Sequence, residues 1–178
     1  MQAIGEALRE KEWHRFVYLH ERPWRPFALW SIAEQIINNQ GYWDLTRSIW
    51  IDSENIWQNR KVWKKLLLTN RPGYFMSEKD RRQFKELPEP VTVYRGYLAG
   101  KNFNGYSWTT NQEKAKWYAK RFANPKEEIY GGVRGATVSK NEIFAYTDER
   151  EEQEVIILRA PRKQVFVMHA GAYDSAGR

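Results

Sequence analysis

The residues best suited to chemistry lie between Asp148 and Glu154, in the sequence DEREEQE. Carboxylates dominate this segment, and their mutual repulsion costs stability unless other residues compensate for it. Alternate residues of a strand point to the same side, so Glu152 and Glu154 would point together into one cleft. Two carboxylates in a cleft can act as acid and base, or can stabilise a cation. The alternative is a solvated acidic loop that leads into a core strand.

Two short strands must position this acidic segment. The sequence IFAY precedes it, and the β-branched run VIIL, residues 155–158, follows it. Both runs are typical of buried strands. The sequence therefore predicts strand, acidic turn and strand, and the chemistry of the turn depends on partners elsewhere in the chain.

A lone arginine ends another predicted strand, VTVYRG, which begins at Val91. The guanidinium of Arg95 can bind a phosphate or carboxylate through a fork of hydrogen bonds, and Gly96 lets a ligand approach the backbone. The alternative is an arginine that pairs with one of the acids for stability only.

A third predicted strand, GYSWTT, ends in hydroxyl groups and precedes a helix over residues 112–122. Ser107 and Thr109 would point to the same side of this strand. Thr110 or Asn111 would cap the helix, and such capping is the alternative explanation for the hydroxyl groups. Ser107 lies too early in the sequence for a capping role.

These three motifs, YRG, SWT and EQEVII, resemble the arginine–serine–glutamate signature of the cholera-toxin-like mono-ADP-ribosyltransferases, in particular small phage and bacterial members. Their order, spacing and strand context agree with the family over about residues 91–168. The resemblance implies an α+β fold, in which a helical N-terminal part is followed by an ADP-ribosyltransferase-like split β-sandwich. Trp108 replaces the usual middle threonine, and alternation would turn it to the opposite face.

The resemblance implies a role for each matched residue. Arg95 would hold the phosphate and nearby ribose of NAD, and the backbone of Gly96 would bind the nicotinamide carboxamide. Ser107 would hold Glu154 in place, and Thr109 would support the same network. Glu154 would be the catalytic acid that stabilises the oxocarbenium-like state as nicotinamide leaves.

The resemblance also implies residues that would bind the acceptor and close over NAD. Glu152 would orient or deprotonate the acceptor, and in the family a glutamate at this position is associated with arginine acceptors. Tyr146 and Arg150 would help to recognise the target. Residues 126–135 are expected to form either a mobile loop that closes over NAD, with Arg134 reaching the pyrophosphate, or an ordinary hairpin loop.

The resemblance thus implies an NAD-dependent mono-ADP-ribosyltransferase, a glycosyltransferase that moves a pentosyl group. Glu152 favours protein arginine as the acceptor, whereas a pI near 9.5 favours RNA or DNA. Three basic groups strengthen the second reading, although each is also compatible with a solvated surface: Arg60-Lys61-Lys64-Lys65, Lys114-Lys116-Lys120-Arg121 and Arg159-Arg162-Lys163. Two alternatives remain open, an NAD glycohydrolase that uses water and a catalytically silent binding module of the same fold.

Composition limits the remaining classes. The net charge of +7 favours an anionic partner, and the absence of cysteine excludes disulfides and thiolate sites. The histidines are scattered, so we expect no metal site. The apolar runs are short and the N-terminus lacks a signal core, so we expect a cytoplasmic protein with no membrane partner.

An unsecreted enzyme of this family would act as a bacterial or phage toxin or effector, with a neutralising antitoxin protein as a partner.

Taken in order, the chain indicates a single domain over 1–178, with a helical lobe over 1–90 and a β-rich, NAD-binding catalytic core over 91–178. Helical periodicity predicts helices over about 4–20, 27–38 and 42–68, the last broken near 52–55. Ser77 is expected to cap a further helix that ends near Leu87. Trp43, Trp50 and Trp57 recur at helical spacing, which is typical of core packing, although a stacking platform for nucleic acid is the alternative.

Overall fold

A computed structural model describes residues 2–54, 56–121, 123–124, 126, 130–161 and 164–169. The chain divides into two compact units, Met1–Phe75 and Met76–Arg178. The first unit is helical, and the second combines helices with an antiparallel sheet, so the predicted α+β class is confirmed. In the described parts of the chain, no helix combines the length and apolar character of a membrane span.

The first unit is built from short helices. The single helix predicted over 4–20 is wrong, because Lys11 adopts a left-handed conformation with φ 58° and ends the first helix. The Glu12 N–H bonds to the Ala7 carbonyl at 2.9 Å and the Lys11 N–H to the Leu8 carbonyl at 3.3 Å, which is the Schellman pattern of helix ends. The helices are α1 Gln2–Arg9, α2 Trp13–Tyr18, α3 Arg25–Ile32, α4 Asn39–Ile51 and α5 Arg60–Leu67.

Tryptophans form much of the core of the first unit. Trp43 and Trp50 are buried on α4, and Trp63 of α5 meets Trp50 edge-on, with ring centroids 4.9 Å apart. Trp57 lies between α4 and α5, under the Arg60 guanidinium at 4.3 Å. The spacing of the first two tryptophans therefore reflects core packing.

The second unit begins with helix α6, Glu78–Glu86, and the predicted cap is confirmed. The Asp80 N–H bonds to the Ser77 hydroxyl at 3.1 Å, and the Asp80 carboxylate accepts from the Ser77 N–H at 3.3 Å. This reciprocal pair is a capping box. The remaining elements are α7 Gln112–Arg121 and the strands β1 Val91–Leu98, β2 Ser107–Thr109, β3 Gly131–Val138, β4 Ala145–Thr147, β5 Glu154–Ile156 and β6 Gln164–His169.

The strands form one sheet in the order β4-β5-β2-β1-β3-β6, with antiparallel neighbours throughout. Its two faces have different environments. One face carries a buried cluster against which Phe84 and Leu87 pack. On the other face, Tyr94 and Val133 pack against α7. The buried cluster of the first face consists of Val91, Val93, Trp108, Ala136, Val138, Ile143, Tyr146, Val155 and Ile157.

Glycines let α7 lie close to this second face. A Cβ atom on Gly96 would lie 2.6 Å from the Ala119 nitrogen, and one on Gly131 would lie 2.6 Å from the Ala119 carbonyl carbon. Both distances are far below normal contact.

The loop predicted over 126–135 is wrong for residues 131–135, which belong to β3, while residues 127–129 lie outside the described residues.

Candidate active site

The three motifs lie on neighbouring strands. The hydroxyl-bearing strand β2 is hydrogen-bonded to β5 on one side and to β1 on the other. Thr109 stands opposite Glu154 and also opposite Tyr94, the residue before Arg95. The sheet therefore brings together segments that are separated by more than fifty residues in the chain.

Glu154 opens β5 and is only 7% exposed. Residues opposite each other in an antiparallel pair share a face, so the carboxylate of Glu154 lies on the same face as the side chain of Thr109. Ser107 is half-buried on that face, two residues away and opposite Ile156. The face that packs against α7 thus holds a buried carboxylate with two hydroxyl groups on the adjoining strand.

The turn before β5 is strained. Glu151 and Gln153 have φ values of 54° and 46°, in the left-handed region that costs a non-glycine residue about 1–2 kcal/mol. Because β5 begins only at Glu154, strand alternation does not orient Glu152, and that part of the prediction is wrong. The strained turn instead sets the direction of Glu152.

Hydrogen bonds hold this turn in place. The Thr109 hydroxyl donates to the Glu152 carbonyl at 2.7 Å, and the Thr110 N–H donates to the Gln153 carbonyl at 3.1 Å. The Gln153 N–H in turn donates to an Asp148 carboxylate oxygen at 3.0 Å. Strain that is fixed by several independent bonds is a common property of functional sites. The Thr109 hydroxyl therefore holds the backbone of Glu152 in the turn before β5.

The Glu152 carboxylate has two side-chain partners. Tyr118 of α7 hydrogen-bonds to it, and both burial and this bond raise the pKa of the Tyr118 phenol. Arg150 is exposed, and its Nε lies 3.4 Å from a Glu152 oxygen. Tyr118 is not among the residues predicted from the sequence; it lies on α7 beside the buried Ala115 and Ala119. The sequence feature that could have identified Tyr118 is its hydroxyl group on the helix that follows the SWT motif.

Arg95 is buried, with 9% exposure, but its side chain leaves β1 on the face opposite to Glu154. Its Nε donates to the Asn102 carbonyl at 3.1 Å, and another guanidinium nitrogen donates to the Ser107 carbonyl at the start of β2. Gly105 packs on the guanidinium, where a Cβ atom would lie 2.9 Å from Nε. Burial lowers the pKa of Arg95 to about 10, and the Glu154 charge opposes this change.

Arg134 stands directly opposite Arg95 on β3 and is 5% exposed. It donates to the Asn104 side chain at 2.8 Å, and its guanidinium lies 4.5 Å from the Phe103 ring. Its Nε is buried without a hydrogen-bond partner in the described part of the chain. Like charges opposite each other in a sheet repel, and the Arg134 charge lowers the pKa of Arg95. This arginine pair would be stabilised by a bound anion.

The role predicted for Tyr146 in recognising an acceptor needs correction. Tyr146 is only 4% exposed, stands opposite Val155 and packs in the buried cluster of the sheet. Burial, with the charges of Asp148 and Asp80, raises the pKa of Tyr146 to about 12. Its ring belongs to the core, whereas Arg150 is exposed and Glu152 is half-buried.

Comparisons with protein-family models, curated proteins and solved structures found no match. Among the residues that the structure describes, no group of three or more histidine, aspartate and glutamate side chains could hold a metal ion. The function therefore has to be inferred from the geometry of the carboxylates, the arginine pair and the strained turn.

Proposed function

We propose that the chain is an NAD-dependent mono-ADP-ribosyltransferase, with the second unit forming the split β-sandwich of that family. The order of the strands carries this proposal. Glu154 on β5, Ser107 and Thr109 on β2 and Arg95 on β1 lie on three adjacent strands, and this adjacency supports the proposal.

The arginine pair fits the pyrophosphate of NAD. Two buried arginines lie opposite each other on β1 and β3 and project from the same face of the sheet, and the Nε of Arg134 lacks a partner among the described residues. The two negative charges of a pyrophosphate would relieve their repulsion and supply acceptors. Arg95 and Glu154 leave their strands on opposite faces, so the pyrophosphate and the ribose of NAD would have to reach opposite sides of β2.

Bound NAD would supply a bond between the ribose C1′ and the positively charged nicotinamide, and breaking that bond sends its electrons to the nicotinamide nitrogen. The carboxylate of Glu154 would stabilise the positive charge left on the sugar. Because Glu154 is buried, water screens this interaction little. Ser107 and Thr109 line the same face of the sheet and would keep the carboxylate in position.

Glu152 would act on the acceptor. Its carboxylate, held by Tyr118 and Arg150, would take the proton that the acceptor nitrogen or oxygen loses as the new bond to C1′ forms, and would later release that proton to water. A protein arginine and a nucleic-acid base both offer such a nucleophile. If water took this place, the chain would be an NAD glycohydrolase.

The test is to incubate the purified chain with labelled NAD and a bacterial lysate, and to measure nicotinamide release and transfer of label. Glu154→Gln removes the charge with little change in shape, and we expect it to lower nicotinamide release at least about 10²-fold. Glu86→Gln, an exposed change on α6, is the matched control and should have no effect.

The possible outcomes separate the candidates. Label that is sensitive to protease identifies a protein acceptor, and label that is sensitive to nuclease identifies nucleic acid. Release of nicotinamide at the same rate without lysate, with the label recovered as free ADP-ribose and on no macromolecule, would replace the transferase by a glycohydrolase. A folded chain that binds NAD but never releases nicotinamide would be the silent binding module.

A further inference from the structure

The first unit carries a stripe of exposed aromatic side chains. Trp24, Phe27 and Trp30 are 57%, 44% and 44% exposed. Because they recur every third residue along α3 and the turn before it, they lie on one side of the helix, while Ala28, Leu29 and Ile32 pack into the core. The rings of Trp24 and Phe27 are 5.7 Å apart. We call these three residues the aromatic stripe.

Lysines of α5 lie beside the aromatic stripe. The Asn59 side chain, at the start of α5, donates to the Pro23 carbonyl at 2.7 Å, and Lys65 Nζ lies 5.1 Å from the centre of the Trp30 ring. The two helices therefore begin together and run in the same direction. Lys61 comes one turn before Lys65 on the same side of α5, so it lies level with the first part of the stripe.

The charge around the stripe is strongly positive. The exposed residues of α5 include Lys61, Lys64 and Lys65, and this helix contains no acidic residue. Exposed acids occur before and after the stripe, at Glu21 and Glu34. The basic and aromatic surface between these two acids is therefore short. Its three rings could stack with about three successive bases of a nucleic acid.

We propose that the aromatic stripe and the lysines of α5 bind single-stranded nucleic acid, with bases stacked on the rings and phosphates paired with the lysines. Aromatic rings beside cations are the combination that single strands require, because each nucleotide offers a flat base and a negative charge. Three large aromatic side chains in water also cost solubility, which an unused surface would avoid. This surface needs neither NAD nor Glu154, so the inference does not rest on the proposed function.

The test measures fluorescence anisotropy of labelled RNA and DNA single strands of about 12 nucleotides, titrated with the whole chain. We expect Trp24→Ala combined with Trp30→Ala to weaken binding at least about 10-fold, because two of the three rings on which bases would stack are lost. Tyr74→Ala, which removes another exposed aromatic ring of the same unit, is the control and should bind like the wild type. Circular dichroism would verify folding of every variant.

A second pair of variants tests the charges. Lys61→Gln combined with Lys65→Gln should reduce the dependence of log affinity on log salt by about 1.4, or about 0.7 for each lost phosphate contact. Lys79→Gln, an exposed lysine of α6, should leave the salt dependence unchanged.

Three results would overturn the inference: equal binding by the stripe variants and the wild type, a preference for anionic vesicles over single strands, or self-association through the stripe in place of nucleic-acid binding. Glu154→Gln should bind single strands as the wild type does. A chain that binds them but never releases nicotinamide would refute the proposed enzyme and leave this surface standing, and the reverse result would refute only the surface.

Discussion

Gly96→Ala tests whether this glycine serves the packing of α7 or the approach of a ligand. The added methyl group would lie 2.6 Å from the Ala119 nitrogen and 2.8 Å from Tyr118 Cβ. Carbon atoms in contact normally lie about 3.5–4.0 Å from their neighbours, so α7 would have to move outward by about 1 Å. The obstacles include backbone atoms of a helix, which cannot rotate away.

The expected cost follows from this geometry. Overpacking of a buried site costs about 1–3 kcal/mol, and the rigid obstacles favour the upper end of that range. For a chain of this size, about 3 kcal/mol lowers Tm by roughly 6–12 °C. The same displacement would move Tyr118 away from Glu152, the residue proposed to act on the acceptor, so transfer of label to the acceptor should fall together with stability.

The assay combines thermal denaturation with the transfer of label from NAD to the acceptor. Gly5→Ala is the control, because its Cβ would meet only the flexible Arg9 side chain at 3.7 Å, and it should stabilise α1 by about 0.5–1 kcal/mol. If Gly96 only lets NAD reach the backbone, alanine keeps the same N–H and carbonyl, and Tm would be unchanged while NAD affinity falls. That result would refute the packing argument.

Two further predictions concern the pKa of Tyr146 and the strained turn. Burial raises the Tyr146 pKa to about 12, so the unfolded chain ionises first, and between about pH 10 and 12 this group lowers the free energy of unfolding by about 1.4 kcal/mol per pH unit. Urea denaturation at about pH 9 and 11 should therefore show a shallower loss for Tyr146→Phe, and equal losses would contradict this assignment. Glu151→Gly should relieve the left-handed strain and raise the free energy of unfolding by about 0.5–1 kcal/mol, whereas a lower Tm would show that the turn is not strained there.

Features that depend on local chemistry could be predicted from the sequence. The start of α6 follows from a serine that can accept the N–H of Asp80, and the burial of β1 follows from its β-branched residues. The helix predicted over 112–122 appears as α7, and its last predicted residue lies outside the described part of the chain. In each case the determining contacts lie within a few residues.

Features that depend on distant contacts could not be predicted in the same way. The glycines of β3 suggested a loop. The folded chain shows that they make room for α7, because Gly131 lies against Ala119 of that helix. Lys11 ends α1 in a conformation that usually belongs to glycine, so its sequence gives no warning. The resemblance assigns Arg95 and Glu154 to the same ligand, but the face on which each side chain leaves its strand is set by the register with β2.

The pairing of Arg95 with Arg134 also bears on how the chain would distinguish among the nucleotides of a cell. Two guanidinium groups read phosphate charge, which ATP, GTP and NAD all share. A pocket built only on this pair would be occupied by whichever nucleotide is most abundant. For the proposed NAD enzyme, selectivity would have to come from the other end of the ligand, and competition by ATP would measure how much of the recognition lies on the phosphate side.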